Sequence, residues 1–303
     1  MATPKSWIKA ARPRTLPLAL SGIIMGCGLA WFYNAIDAIV SILAIITATL
    51  IQVFSNFAND YGDSQRGTDN QFRLGPTRTM QSGEISKKEM ETGMLIIGGL
   101  SFIFGILLVY LGTWHHSKTA FFSFIGFGIL SLLAAYFYTA GKKSYGYIGL
   151  GDLFVFLFFG LLPVAGVFYL STGFLITSIF LPAISIGFFS TGVLNLNNMR
   201  DIANDKNSGK ITVPVRIGQK KSRIYHIVLI LGGWVTALLY VASQQKSLWQ
   251  WLFILVFPLF INDLRQIMQI KNDKELDPFL KRLALSTLTF TLLFCIGLII
   301  STR

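Results

Sequence analysis

The chain has 303 residues, of which 53% are hydrophobic and only 13% charged, with a formal net charge of +12. A soluble domain carries charge on about a quarter of its residues, and several apolar stretches here approach or reach the roughly 20 residues that cross a bilayer as helix. These values exclude an ordinary soluble domain, and the bilayer is the solvent for most of the chain.

In chain order, a basic segment (Lys5, Lys9, Arg12, Arg14) precedes an apolar run at 16–34. The pair resembles a signal peptide, but more membrane follows, so it reads as an uncleaved first span. Further spans are expected at 36–58, 91–113, 117–138, 149–170, 174–194, 224–242, 247–262 and 281–301. The eighth is short and contains Pro258. Backbone polar groups in lipid must be satisfied within the segment, so these are helices. Continuous runs such as LFVFLFFGLLPVAGVFYL do not alternate as barrel strands do. The expectation is an all-α integral membrane protein: one polytopic domain over 1–303, with nine transmembrane helices around a cytoplasm-facing cavity.

Basic residues set the orientation. The N-terminal segment and the loops after spans two, four, six and eight hold 23 of the 26 Lys and Arg, leaving Lys118, Lys246 and Arg303 on the other face. This asymmetry places the charged loops and the N-terminus in the cytoplasm and the C-terminus outside. The positive charge is thus a topological feature that also attracts anionic head groups, and it calls for no nucleic acid. Cys27 and Cys295 both lie inside apolar runs, with neither disulfide nor zinc spacing. Trp7, Trp31, Trp114, Trp249 and Trp251 fall near span ends, as an aromatic belt would place them.

Polar residues gather where two spans end. NFANDYGDSQRGTDN (56–70) follows span two, and NLNNMRDIANDKNSGK (195–210) follows span six. A spacing of four puts side chains on one helix face. In span two the polar stripe runs Gln52, Asn56, Asn59 or Asp60, then Asp63; in span six it runs Thr191, Asn195, Asn198, Asp201 or Ile202, then Asp205. Asn197, Asp201 and Asp205 also stand four apart, and Asp63 and Asp201 are 138 positions apart, a weak two-fold repeat. Unpaired amides facing lipid would cost several kcal/mol each, on the order of the transfer penalty for polar groups, so both stripes face a bundle interior or a wet cavity. A solvated helix end explains one such cluster equally well, but two of the same pattern on one membrane face favour function.

Five aspartates (60, 63, 69, 201 and 205) would share that face. Two like charges about 4 Å apart repel by roughly 4 kcal/mol at a dielectric near 20, so cations must separate them. Carboxylate and amide oxygens suit hard cations, and Mg²⁺ commonly shares its shell with substrate phosphates. Arg66, Arg73, Arg78, Arg200, Lys206 and Lys210 are then candidate phosphate partners. A third loop, YTAGKKSYGYIGLGD (138–152), adds Lys142 and Lys143 with Tyr138, Tyr145 and Tyr147. It reads either as a turn with topological lysines or as a lysine on diphosphate and tyrosines against a ring or carbocation.

At these residues the sequence resembles the UbiA superfamily of intramembrane aromatic prenyltransferases, which has nine helices and two aspartate-rich motifs on the cytoplasmic side. NDYGD and DIAND match the motif cores. The stretches ARPRTLPLALSG, NDYGDSQRGTDN, GPTRTMQSGEI and YIGLGDLFVFLFFGLLPVAG are most similar to the branch that prenylates 1,4-dihydroxy-2-naphthoate in menaquinone biosynthesis. The first family motif commonly carries an Asp four residues after the position of Asp63; here Gly67 stands there and Asp69 follows. The resemblance implies that Asn59, Asp60, Asp63, Asp69, Asn197, Asn198, Asp201 and Asp205 hold two Mg²⁺ ions on a polyprenyl diphosphate. It implies that Asp63, Asp201 and Lys142 are catalytic, and that Arg73, Arg78, Lys142, Lys206 and Lys210 assist the departing diphosphate. The ring of dihydroxynaphthoate then attacks the prenyl carbon and its carboxylate leaves as CO₂, with Arg12 or Arg14 as candidate partners of that carboxylate. The rival readings are another aromatic acceptor (4-hydroxybenzoate or homogentisate) and, from a different class, a polytopic transporter.

Overall fold

A computed structural model describes residues 2–70, 73–141, 144–244 and 247–302. Its helices are α1 (Pro4–Ala11), α2 (Leu16–Phe32), α3 (Ala38–Arg66), α4 (Lys87–Thr113), α5 (Lys118–Phe137), α6 (Gly151–Val155), α7 (Leu162–Thr172), α8 (Phe180–Arg200), α9 (Ile202–Asn207), α10 (Val213–Gln244), α11 (Phe257–Gln269) and α12 (Asp277–Ser301). Among the described residues, nine helical stretches are long and apolar enough to cross a membrane, and no strand forms. The chain is a multi-pass membrane protein. The spans outrun their apolar runs where the clusters lie: α3 continues to Arg66, α8 to Arg200, and α10 begins at Val213. These extensions carry the polar residues as ordered helix rather than as loop.

Local chemistry explains the ends. Asp37 caps α3 by accepting from the backbone N–H groups of Ile39 and Val40 at 2.8 and 2.9 Å. Gly67, at φ +69°, ends it. Ser86 and Glu89 form a capping box at the start of α4. A wide π turn over Phe156–Leu161 joins α6 to α7. The weak eighth span resolves into a 3₁₀ stretch, Leu248–Val256, followed by α11, with Pro258 in the first turn, where its missing N–H costs no helical bond. Trp7 departs from the aromatic-belt expectation. It lies under α1 with its ring 5.2 Å from that of Phe57, fastening a short amphipathic helix to α3.

One side of the bundle is tightly packed. Trp234, on α10, lies 5.7 Å from Phe253 and 5.2 Å from Phe290, and Phe189, on α8, lies 5.1 Å from Phe290. Lipid offers no hydrophobic gain for helix association, so the van der Waals fit of these rings carries the contact. The other side is open by contrast: α5 buries only Ala134 and Ala135. A cavity of about 390 Å³ lies between the two, walled by α2, α3, α4, α5, α7 and α8.

Candidate active site

The two polar stripes meet at one end of this cavity. The side chain of Asn204, on α9, donates to the carbonyl of Thr68, just past α3, at 2.9 Å. The ends of the second and sixth spans therefore touch on one face of the bundle.

On α3 the stripe turns inward as its spacing demands: Gln52, Asn56, Asp60 and Asp63 are all buried. The amides are occupied. Gln52 donates to Thr15 Oγ1 at 3.2 Å, and Asn56 donates to the Ala11 carbonyl at 2.8 Å and to Thr15 Oγ1 at 3.1 Å. They hold the turn at Arg12, whose φ of +49° is rare for a side chain of this size. Asp63 faces the cavity and accepts from the Tyr147 hydroxyl at 2.9 Å, while Asn59 lines it with its carbonyl oxygen 3.3 Å from the Thr139 hydroxyl. Gly62 permits this arrangement, since a Cβ there would lie 2.6 Å from the backbone nitrogen of Ala140.

Asp60 points elsewhere. It is ion-paired with Arg12, lies 3.6 Å from Arg78 Nε, and accepts from Thr79 at 3.3 Å. Asp69 likewise sits outside the cavity wall, 3.3 Å from Arg73 Nε and 3.8 Å from Arg78 Nε. Its burial, reinforced by the nearby Asp63 charge, pushes its carboxyl up to about 6. Burial together with Arg12 and Arg73 brings Arg78 down to about 9.

At the second cluster α8 breaks at Asp201 (φ −103°, ψ 14°) and resumes as α9. Asn197, Asp201 and Asp205 line the cavity. Asn195 and Asn198 are buried but do not; Asn195 donates instead to the Ser222 carbonyl on α10 at 3.1 Å. Burial raises the Asp201 carboxyl, but the hydrogen bonds and charge of Arg200 outweigh it and hold the group below the usual range. Burial pushes Asp205 up to about 6 despite Lys210 Nζ at 3.6 Å. Burial lowers Lys210 too, but Asp205 and Asp63 outweigh it and raise the ammonium above its ordinary value.

Several expected phosphate partners are therefore placed differently. Arg73, Arg78 and Lys210 reach the cavity, whereas Lys206 is exposed away from it. Arg200 is fully buried against Asp201 and Asp277. Arg66 donates to the Gly141 carbonyl at 2.5 Å and lies 4.3 Å over the Tyr147 ring. Lys142 lies outside the described residues. Arg12, Arg14 and Lys281 also line the cavity; the sequence pattern points to Arg12 and Arg14 only as partners of an acceptor carboxylate and gives no sign of Lys281. Tyr147 is a brace between the clusters rather than a ring-facing tyrosine. It bonds Asp63 and Thr68, and its carbonyl accepts from the Ile211 N–H at 3.0 Å. Tyr138 and Tyr145 do line the cavity.

The oxygens available to a cation are those of Asn59 and Asp63 on one wall and Asn197, Asp201 and Asp205 on the other. Asp205 Oδ2 is buried without a hydrogen-bond partner. Among the described residues no three carboxylate, His or Cys side chains close on one point. A hard cation here would leave part of its shell to water and a bound anion, which is the habit of Mg²⁺. Six basic side chains and three carboxylates line the cavity; Asp60, Asp69 and Asp277 pair with Arg12, Arg78, Arg73 and Arg14 from outside the wall, so a bound anion would share these cations with them. The remainder is apolar and runs to Ala44, Val109, Phe124 and Leu170, near the opposite ends of their helices.

A charged head and a long apolar tail fit this shape, and comparison with known proteins agrees. The UbiA prenyltransferase family profile matches residues 19–293. The chain belongs to the UbiA prenyltransferase family. The prenyltransferase is 42% identical over 297 residues to 1,4-dihydroxy-2-naphthoate octaprenyltransferase of Escherichia coli (strain K12), covering 98% of this chain and 96% of that protein. It is 32% identical to the enzyme of the same name from Mycobacterium tuberculosis (strain ATCC 25618 / H37Rv), covering 96% of each. A UbiA homolog from Archaeoglobus fulgidus, solved bound to GPP and Mg²⁺, shares the fold with a TM-score of 0.61 at 17% identity, covering 95% of this chain and 99% of that one. Family membership sets aside the transporter reading.

Proposed function

We propose that this prenyltransferase joins a polyprenyl diphosphate to 1,4-dihydroxy-2-naphthoate, with loss of the carboxylate as CO₂, in menaquinone biosynthesis. The observation that carries the reading is the convergence of the α3 and α8–α9 carboxylates, with six basic side chains, on the polar end of one apolar cavity. The acceptor rests on the two naphthoate octaprenyltransferases matched over nearly the full chain. The site faces the cytoplasm, by the one-sided distribution of Lys and Arg, and the membrane is the cell membrane.

Asn59, Asp63, Asn197, Asp201 and Asp205 would hold Mg²⁺, two ions for two walls. When bound, the ions supply positive charge that stabilises the departing diphosphate. Arg73, Arg78 and Lys210 orient that diphosphate and offset its growing charge as the allylic C–O bond breaks. The apolar helices shield the electron-deficient prenyl carbon from water until the ring attacks. Arg12 is ion-paired with Asp60, whereas Arg14 lines the cavity with only a longer, 3.6 Å contact to Asp277, so Arg14 is the N-terminal cation better placed to meet the acceptor's carboxylate.

The test is mass spectrometry of products from purified protein given Mg²⁺, mixed-length polyprenyl diphosphates and each acceptor. Decarboxylated, prenylated naphthoquinol is expected. A product from 4-hydroxybenzoate or homogentisate alone would overturn the acceptor, and no Mg²⁺-dependent product from any acceptor would overturn the reaction.

A further inference from the structure

Arg200 carries no charge to the cavity, yet it is the largest fully buried polar side chain in the protein's described residues. Its Nε donates to Asp201 Oδ1 at 3.2 Å and its Nη2 to Asp201 Oδ2 at 2.6 Å, a two-pronged grip on both oxygens. Nη2 also donates to Asn197 Oδ1 at 2.9 Å. The remaining nitrogen, Nη1, is paired with Asp277 in the first turn of α12. A Cβ at Gly75 would lie 2.6 Å from Arg200 Nη2, so the chain between α3 and α4 closes over the guanidinium. Arg14 Nη1 lies 3.6 Å from the other Asp277 oxygen, but its side chain is 30% exposed whereas Arg200 is fully buried, so solvent screens the Arg14 contact more.

We propose that Asp277 is a positioning residue for Asp201, acting through the buried guanidinium of Arg200. The inference rests on the reading of Asp201 as a cation-holding carboxylate. A guanidinium bound to Asp201 alone would fix its orientation but cancel its charge, and so weaken it as a ligand. Sharing that guanidinium with Asp277 leaves the three groups with a net negative charge; Arg200 and Asp201 are buried, while Asp277 is 29% exposed and also faces Arg14. The same bond fixes the guanidinium plane from a third direction, so Asp201 and Asn197 are aimed together. The C-terminal helix thereby sets the geometry of a cluster 77 residues earlier.

The experiment is Mn²⁺ binding, followed by electron paramagnetic resonance, on the purified full chain with a slowly reacting prenyl thiodiphosphate. Asp277→Asn keeps shape and an acceptor oxygen while removing the charge. It is expected to weaken Mn²⁺ binding about 10-fold or more, the usual size of an outer-sphere ligand loss, and to raise the Mg²⁺ concentration for half-maximal turnover by a similar factor. Asp277→Glu is expected to restore most of the affinity. Should the Asn variant not fold, Arg200→Lys reports on the same bond, because an ammonium cannot hold Asp201 at two points and reach Asp277 as well. Wild-type Mn²⁺ affinity in the folded variant would overturn the proposal, as would lost thermal stability and turnover with unchanged Mn²⁺ affinity. If the unaltered protein bound no Mn²⁺ and made no product, the proposed function itself would fail; if it bound and turned over normally while the variant matched it, only Asp277 would be reassigned.

Discussion

The two acidic clusters have similar sequences but use their carboxylates differently. At the first, two aspartates three positions apart divide the work. Asp63 faces the cavity, while Asp60 turns back under Arg12 and Arg78 and ties the N-terminal segment to α3. At the second, Asp201 and Asp205 both face the cavity, and the inward grip comes from Arg200. The first cluster thus pins the fold with a carboxylate, and the second pins a carboxylate with an arginine. Position in a motif does not by itself assign a role; the partner on the far side of the helix does.

The comparison predicts graded losses. Asp63→Ala and Asp201→Ala should each reduce turnover by about 100-fold or more, the scale of losing one transition-state charge contact, while the purified protein remains folded. Equal activity in either would show that the cavity-facing pair is misassigned. Asp60→Ala should act instead on stability. It leaves the part-buried Arg12 guanidinium without its carboxylate and Arg78 with Asp69 alone, a loss of about 1–3 kcal/mol, read as a fall in unfolding temperature in detergent. A variant that kept its stability but needed more Mg²⁺ would place Asp60 with the cation ligands after all. Tyr147→Phe should be milder; it removes the hydroxyl's contacts with both Asp63 and Thr68, about 1–2 kcal/mol, and should appear as a roughly 10-fold lower kcat/KM. Lys206→Ala, on an exposed position, should change turnover by less than about 2-fold, within the usual range for surface substitutions.

The spans, their number and the shared face of the clusters were all legible in the residue order, because lipid forces apolar runs into helices and alternation of direction follows from their count. The i, i+4 relation of Asn59 with Asp63 and of Asn197 with Asp201 was legible too. Whether Asn59 or Asp60, and Asn197 or Asn198, faces the cavity was not. Neighbours on a helix differ by about 100°, and only the packing partner decides which of them turns inward. Those partners come from afar: Arg12 is 48 residues from Asp60, Tyr147 is 84 from Asp63, and Asp277 is 77 from Arg200. Proximity to a cluster in sequence does not make a basic residue a phosphate partner: Arg66 donates to a carbonyl and Arg200 to carboxylates. Lys281, inside what looked like an ordinary last span, carried no local signal at all.

The most direct test of the account is equilibrium binding of a prenyl thiodiphosphate to the purified protein, with and without Mg²⁺. If carboxylates from both walls hold the diphosphate through shared cations, binding should require Mg²⁺ and should be lost in Asp63→Ala and in Asp201→Ala alike. Wild-type, Mg²⁺-dependent affinity in either single variant would mean that one wall suffices, and the convergence of α3 with α8–α9 would lose its role.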